Sequence, residues 1–512
     1  MNLAEQLLGR AALARHGNRV AMRCAGISVT YAELAERVAR ASTAFRAIGL
    51  TRGDRVLLLL RDTPEYAAAW LGAVHAGGVA IGINTRLSET EYRYVCADSQ
   101  VRISIVEDRF VLARPDLAAE FTQGGALLVE GERVPQNMRS WRQVLSEVTN
   151  PASPHPAEPD DPAFWLYSSG TTGKPKGIIH THKDVVAAGR VFAETLELVP
   201  GDKVFVTSKL FFAYALDHGL LGSLANGLTA VLHPEWPDVD EACDTVAREQ
   251  PAVFASVPSF YRRLAALPDA RLAPFRAVRY FLSGGERIPE SLAERWMQAT
   301  GGELLSIYGM SETFGVCMVT PRGLPGPARL GKPLRDVEVR LTGSDGADAA
   351  AGQPGVLWVR HPALALGYAN LPEATRTQFR EGWFCTNDLF SRDAAGLYSH
   401  HGRSDELLRI AGQYVQPGEI EQAVSGEPLI AEAACVPVVD ADGFDRLALF
   451  VAARGDPGAA IRAAEHACEM KLPRFKRPKW VRSIAEIPRT ATGKVQRFRL
   501  RELLARELSV KG

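Results

Sequence analysis

Residues 167–177 read YSSGTTGKPKG and stand between the apolar stretch AFWLY and a helical stretch that follows Thr181. Small hydroxylated residues, glycines and two lysines in one short run suit a loop that wraps a polyphosphate. The glycines let backbone N–H groups converge on phosphate oxygens, the Ser and Thr hydroxyls add donors, and Lys174 or Lys176 supplies positive charge. The GxxxxGK[ST] spacing of a Walker A loop is missing. A flexible Ser/Gly linker is the other reading of such a composition, but linkers seldom set paired lysines beside a buried strand.

The elements that must hold this loop show in the hydrophobic pattern. Residues 31–49 carry apolar side chains at helical spacing, end at Gly49 and lead into GDRVLLLL, which predicts a helix and then a buried strand. A second helix, roughly Pro64 to Ala76, precedes GGVAIGIN, and the alternation recurs around VRISIVE, GALLVEG and DKVFVTSKLFF. Strands alternating with helices predict an α/β fold with doubly wound parallel sheets. The run PASPHPAEPDDP, residues 151–162, reads as a surface connection. Between Arg335 and Arg360, DVEVRLTG and GVLWVR alternate with Gly and Asp turns, which suits a small antiparallel, barrel-like portion. Past Arg403 a fresh strand, turn and helix pattern begins. The expected domains are therefore 1–402, large, and 403–512, small and α+β.

At 512 residues the chain exceeds one hydrophobic core, and its 59 basic and 59 acidic residues leave no global field for nucleic acid or an anionic membrane. The uncharged stretch from Trp70 to Thr85 is Gly-rich, contains His75 and is too broken for a spanning helix. No signal peptide is read at the N-terminus, and the seven scattered cysteines lack metal-ligand spacing, which predicts reduced thiols and a cytoplasmic setting.

YSSGTTGKPKG closely resembles the phosphate-binding signature of the adenylate-forming superfamily, which includes acyl-CoA synthetases, adenylation domains of peptide synthetases and luciferases. Further segments match in the family's order: SGGE (Ser283 to Glu286), SIYGMSET (Ser306 to Thr313), GWFCTNDL (Gly382 to Leu389), GRSDELLRIAG (Gly402 to Gly412) and PRTATGKVQR (Pro488 to Arg497). The resemblance runs from TYAEL at Thr30 onward. It implies ATP as substrate, magnesium on its phosphates, and an acyl-adenylate intermediate.

Carried over residue by residue, the resemblance makes Ser168, Ser169, Gly170, Thr171, Thr172, Gly173 and Lys174 the phosphate grip and Glu312 the acid that holds magnesium. Tyr308 would stack on adenine, with Gly284, Gly285 and Glu286 along the purine's other edge and Gly309 and Ser311 beside it. Asp388 would accept hydrogen bonds from the ribose hydroxyls, with Arg403 in the same region. Lys494 would bridge the carboxylate and the α-phosphate as pyrophosphate leaves, delivered by a small domain that turns about Asp405 and then brings Gly412 to the pantetheine channel. Taken singly, an Asp after a strand is a turn or cap, a buried Tyr is core, and Lys494 is a solvated lysine. Ser311 and Asn387 depart from the commoner threonine and glycine.

KLFFAYALDHG, Lys209 to Gly219, falls where the family builds its acyl pocket, and KLFFAY resembles the benzoate-CoA ligase branch. Phe212, Ala213 and Tyr214 would wall a flat aryl ring. His218 could hydrogen-bond a ring substituent with Asp217 orienting or charging it; equally, Asp217 could cap the next helix and His218 pack as core. The expected partners are a small carboxylic acid and coenzyme A, with a carrier protein's pantetheine as the alternative acceptor. No nucleic-acid or membrane partner is expected, and a homodimer is compatible with the class. Basic residues from Lys471 to Arg482 could meet the nucleotide phosphates of coenzyme A, greet an acidic carrier, or form a solvated face. A phosphotransferase built on the same loop would release ADP instead of AMP.

Overall fold

The computed structural model describes all residues except 119, 123–124, 170–173, 325–328, 344, 405–407, 411–412, 416, 441–444, 490–494 and 511–512. Packing divides the chain into two units, Met1–Val339 with Val359–Phe384, and Arg340–Trp358 with Cys385–Gly512. The class is mixed α/β, a large N-terminal part and a small C-terminal one, as expected.

In the first unit the helix Tyr31–Ala47 starts at a capping box. The Thr30 hydroxyl accepts from the Glu33 N–H, and the Glu33 carboxylate accepts from the Thr30 N–H. Its Leu34, Val38, Ala41 and Phe45 face inward at helical spacing, and the chain leaves through Gly49 at φ +91°. The helix Pro64–His75 packs so tightly on it that a Cβ at Gly72 would lie 2.5 Å from that of Ala41.

One sheet of this unit runs in the order Gly367–Tyr368, Pro175–Thr181, Pro162–Ser169, Val79–Gly82, Arg55–Leu59, Ile103–Glu107, Ala126–Glu130, Arg139–Ser140. From Pro162–Ser169 onward neighbours are parallel, while the two strands before it are antiparallel. Parallel strands covered on both faces are continuous apolar runs, as RVLLL and VAIG are here. A second parallel set orders Leu304–Gly309, Tyr280–Gly284, Val253–Ser256, Lys203–Val206, Thr229–Leu232 and Val20–Cys24. The antiparallel strand Val316–Val319 lies beside Leu304–Gly309. Trp296 locks the helix Glu290–Thr300 onto this set with edge-on contacts to Tyr261, Phe275 and Phe281.

The second unit contains the strand Tyr398–Arg403, paired antiparallel with Trp383–Arg392 so that Arg403 faces Asp388. Further on, Ile430–Val439 pairs antiparallel with Asp445–Ala453, and Trp480–Ile484 adds in parallel. Alternate residues of these strands are apolar on both faces. Cys435 and Leu449 pack among Ile420, Ala464 and Cys468, and Ala434 and Phe450 among Leu500 and Leu504. Among the described residues no helix is long and apolar enough to cross a membrane.

A buried ion pair fixes the chain as it leaves Lys203–Val206. Lys209 pairs with Asp62 at 3.1 Å and donates to the Glu235 carbonyl at 2.7 Å, while the Leu210 N–H donates to the same Asp62 carboxylate at 3.1 Å. Burial pushes the Asp62 carboxyl up to about 6 even though Lys209 pulls it down. Replacing Lys209 by Met would strand that acid, so we expect a loss of roughly 3–5 kcal/mol. Thermal denaturation should show a large fall in Tm for Lys209→Met, and adding Asp62→Asn should restore most of it.

Candidate functional site

The residues singled out in the sequence gather first at one hairpin. Strand Pro162–Ser169 pairs with Pro175–Thr181 in the register Tyr167↔Gly177, Ser168↔Lys176, Ser169↔Pro175. Gly170, Thr171, Thr172 and Gly173 span its tip and lie outside the described residues. The flanks are tied down. Tyr167 donates to Asp98 Oδ2 at 2.7 Å, and burial together with that acid pushes its phenol far above the usual value, so it stays a donor. Lys174 is exposed, 5.5 Å from the Tyr94 ring centroid, and Lys176 sits 5.2 Å from that of Tyr368.

A second cluster forms at neighbouring carboxyl ends of parallel strands, the place where open α/β sheets bind ligands. Tyr280–Gly284 and Leu304–Gly309 pair with Gly284 opposite Ile307, which brings Gly284, Gly285 and Glu286 beside Tyr308 and Gly309. Two glycines are required by the space. A Cβ at Gly309 would stand 2.6 Å from the Gly315 carbonyl oxygen, and one at Gly284 would stand 2.9 Å from Ile307. Tyr308 is half-buried and Gly285, at φ +88°, is exposed.

The chain then makes a single 3-10 turn, Ser311–Thr313, closed by Phe314 at φ +55°. Thr313 Oγ1 donates to the Gly315 carbonyl at 3.0 Å. Glu312 is half-buried. Its Oε1 accepts from the Tyr368 hydroxyl at 2.8 Å, its carbonyl accepts from the Ala365 N–H at 2.9 Å, and Oε2 makes no hydrogen bond among the described residues. Tyr368 was not singled out in the sequence; the GYAN segment that carries it offers only a tyrosine in a turn.

Asp388 and Arg403, expected in one region, are cross-strand partners within the second unit, Arg403 Nη1 3.7 Å from Asp388 Oδ1. His400 Nε2 lies 3.8 Å from the same oxygen, and Arg403 also donates to the Thr386 carbonyl at 3.1 Å. The departure at Asn387 has a local reason. Its φ is +57°, a left-handed conformation that Asn tolerates better than most residues with a side chain. Asp405, Gly412 and Lys494 lie outside the described residues.

In the segment expected to wall the acyl group, Phe212, Ala213 and Tyr214 are half-buried and consecutive, the last two opening the helical turn Ala213–Leu216. Tyr214 donates to the Leu282 carbonyl at 3.3 Å. The next turn, Asp217–Leu221, is π-helical. His218 is buried, stacked on Phe192 at 4.2 Å and edge-on to Tyr214 at 5.3 Å, with Nδ1 2.9 Å from Asp217 Oδ2. Asp217 does not N-cap the helix that follows, and neither its carboxylate nor His218 Nδ1 makes a hydrogen bond among the described residues, so their 2.9 Å approach lacks hydrogen-bond alignment.

The basic segment is largely neutralised within its own unit. Lys471 pairs with Glu427 at 3.1 Å, Lys479 with Asp440 at 2.9 Å, Arg482 with Glu507 at 2.9 Å, and Lys476 with Glu419. Nor is a reactive thiol on offer among the buried cysteines. Burial pushes Cys24, Cys243 and Cys468 up to about 11 and Cys96 and Cys317 up to about 12.

Residues 9–369 match the AMP-binding enzyme family and residues 419–494 the AMP-binding enzyme C-terminal domain. Over 98% of its length the chain is 40% identical to 3-hydroxybenzoate–CoA ligase of Aromatoleum sp. (97% of that protein), and 35% identical to benzoate–CoA ligase of Thauera aromatica (95% of that protein). It superposes on the crystal structure of an anthranilate CoA ligase in complex with anthranoyl-AMP with a TM-score of 0.89 and 28% identity, covering 99% of this chain and 98% of the other.

The left-handed turn before Asp388 generates a prediction. Asn387→Ala should destabilise the protein by about 1 kcal/mol, because alanine gains nothing to offset the left-handed backbone, whereas Asn387→Gly should be close to neutral. Urea denaturation of the two variants checks the difference.

Proposed function

Because this chain belongs to the AMP-binding enzyme family, we propose that it joins an aromatic carboxylic acid to the thiol of coenzyme A through an acyl-adenylate, releasing AMP and pyrophosphate. The observation that carries this is the likeness, over nearly the whole chain, to ligases named for benzoate and 3-hydroxybenzoate. In the first step a carboxylate oxygen of the acid attacks the α-phosphorus of ATP and the bond to pyrophosphate breaks. In the second, the sulfur of the thiol attacks the acyl carbon, the thiol proton is lost, and AMP leaves.

The hairpin tip with Ser168, Ser169, Thr171, Thr172 and Lys174 grips the phosphates in this reading, and Tyr308 with Gly284 to Glu286 takes the adenine. Asp388 and Arg403 take the ribose. Their cross-strand pairing supports one shared task, Arg403 orienting the Asp388 carboxylate for two hydroxyl donors. Glu312 suits a metal bridged by substrate. Among the described residues no three acidic, His or Cys side chains form a metal cage, and Glu312 keeps Oε2 free. Magnesium held there would neutralise charge on the phosphates. Lys494 meets the charge that develops as pyrophosphate leaves, and the small domain expected over 403–512 turns about Asp405 between steps to bring Gly412 to the thiol.

For the acid, we read a ring-hydroxylated benzoate. Phe212 and Tyr214 supply flat walls, and His218, with Nδ1 turned to Asp217, has Nε2 without a hydrogen bond among the described residues to offer a ring hydroxyl. Free coenzyme A is favoured over a carrier because the relatives that match over nearly the whole chain are named for coenzyme A; the internally paired basic segment speaks for neither acceptor. Free, mostly buried cysteines support a cytoplasmic setting.

Incubation with ATP, magnesium, coenzyme A and a panel of aromatic and aliphatic acids should yield acyl-CoA and AMP, best with hydroxybenzoates; ADP release would overturn the reading. In the same assay His218→Ala should lower kcat/KM for hydroxybenzoates relative to benzoate by roughly tenfold, the worth of one buried hydrogen bond. An unchanged ranking assigns His218 to packing alone. Lys494→Ala should slow adenylate formation by roughly 10² to 10³ yet spare thioester formation from supplied acyl-adenylate. Equal loss in both half-reactions would refute that role.

A further inference from the structure

His180 lies on the strand Pro175–Thr181 that leaves the phosphate hairpin, and it is fully buried. Its Nδ1 is 2.9 Å from Asp184 Oδ2 and its Nε2 is 2.8 Å from the Ser311 carbonyl oxygen. The Asp184 carboxylate also accepts from the Thr181 N–H at 2.9 Å and the Thr181 hydroxyl at 2.7 Å. A carbonyl oxygen can only accept, so Nε2 donates to Ser311 while Nδ1 faces the Asp184 carboxylate. The ring lies flat on Phe164, ring centroids 4.9 Å apart and planes 15° apart, with Phe314 at 5.4 Å on its flank.

What this ring holds is the entrance of the turn that presents Glu312. The turn ends in a left-handed Phe314, a conformation that relaxes unless its neighbours fix it. Ser311 is fixed by His180, the Glu312 backbone by the Ala365 N–H, and the Glu312 carboxylate by Tyr368. Of the three ties, only the one from His180 is made by a side chain of the strand Pro175–Thr181 itself, which carries Lys176 and follows the hairpin tip; Tyr368 reaches that strand through the neighbouring strand Gly367–Tyr368.

We propose that His180, oriented by Asp184, is a positioning residue that sets the Glu312 carboxylate relative to the phosphate loop. The inference rests on the reading of Glu312 as the acid that holds magnesium. The ring nitrogens can be tested apart. Asparagine places its amide nitrogen near Nδ1, and so keeps the bond to Asp184, whereas glutamine places its own near Nε2 and keeps the bond to Ser311. The full-length protein would be assayed for adenylate formation across a magnesium titration, for thioester formation from supplied acyl-adenylate, and for Tm.

His180→Asn should raise the magnesium needed for half-maximal adenylation up to roughly tenfold, the size of one buried hydrogen bond, and leave the thioester step unchanged. His180→Gln should recover most of that loss at a similar Tm. Equal losses in both variants and both half-reactions, in proportion to Tm, would reduce His180 to packing and overturn the proposal. Should the Asn variant not fold, His180→Gln against Asp184→Asn gives the same comparison, with the loss expected in the Asp184 variant. Glu312→Gln run in parallel separates the two ideas. If it abolishes the magnesium dependence while His180→Asn has none of its own, positioning fails; if it changes nothing, the reading of Glu312 fails and the proposal falls with it.

Discussion

The antiparallel pairing of Pro162–Ser169 with Pro175–Thr181 is the constraint on which the site depends. Side chains alternate along a strand, so one register places Lys176 and His180 on the same face, and a slip of one residue would exchange that face for the other. The same register puts Gly177 against the Tyr167 ring and Ala369, each 3.3 Å from where a Cβ would stand, and so closes the space a slipped strand would need. The short strand Gly367–Tyr368 depends on that register in turn. Its antiparallel contact with Ile178 and Ile179 brings Tyr368 over Lys176 and onto Glu312.

Three buried acid–base pairs serve this region, and none is expected to stabilise the fold much, since desolvation offsets most of the Coulomb attraction. Their value is positional. Asp62 and Lys209 fix the chain that enters the aromatic segment, binding both the Leu210 N–H and the Glu235 carbonyl. Asp184 and His180 join a strand to a turn more than a hundred residues away. Asp217 and His218 are adjacent in sequence and orient a ring against Tyr214. In each case an apolar pair could fill the volume, but it could not specify which backbone group lies where.

The local layer of this architecture was open to sequence reasoning. The Thr30 to Gly49 helix shows its cap, its apolar face and its glycine stop, and the parallel strands show as unbroken apolar runs. The composition of 167–177 marks out a loop suited to a polyphosphate, whose tip lies outside the described residues. Partners distant in sequence did not show. His180 and Asp184 are four residues apart, yet their purpose appears only when Ser311 arrives, and Tyr368 becomes a ligand of Glu312 only through the sheet. The basic segment reads as an open cationic face because Glu419, Glu427, Asp440 and Glu507, which neutralise it, lie outside the run. Asn387 reads as a departure from glycine until its left-handed φ shows that both residues answer one backbone demand.

The π-helical turn Asp217–Leu221 was equally hidden, because a hydrophobic pattern does not distinguish one wide turn from a regular one. Its cost is met by specific atoms. Ser223 Oγ donates to the His218 carbonyl at 2.6 Å, and Asn226 Nδ2 donates to the carbonyls of Gly222 and Gly189 at 2.8 and 2.9 Å. Gly189 and Gly222 let two segments touch. A Cβ at Gly189 would fall 2.7 Å from the Gly222 Cα, and one at Gly222 would fall 2.5 Å from Asp217 Oδ1. With the backbones this close, the widened turn keeps Asp217 and His218 inside the protein, where the imidazole lies flat on Phe192 and meets the Tyr214 edge. A regular turn would advance these side chains around the helix and separate the pair from Tyr214, so the glycines and Ser223 hold the pair in place as much as the rings that pack on it.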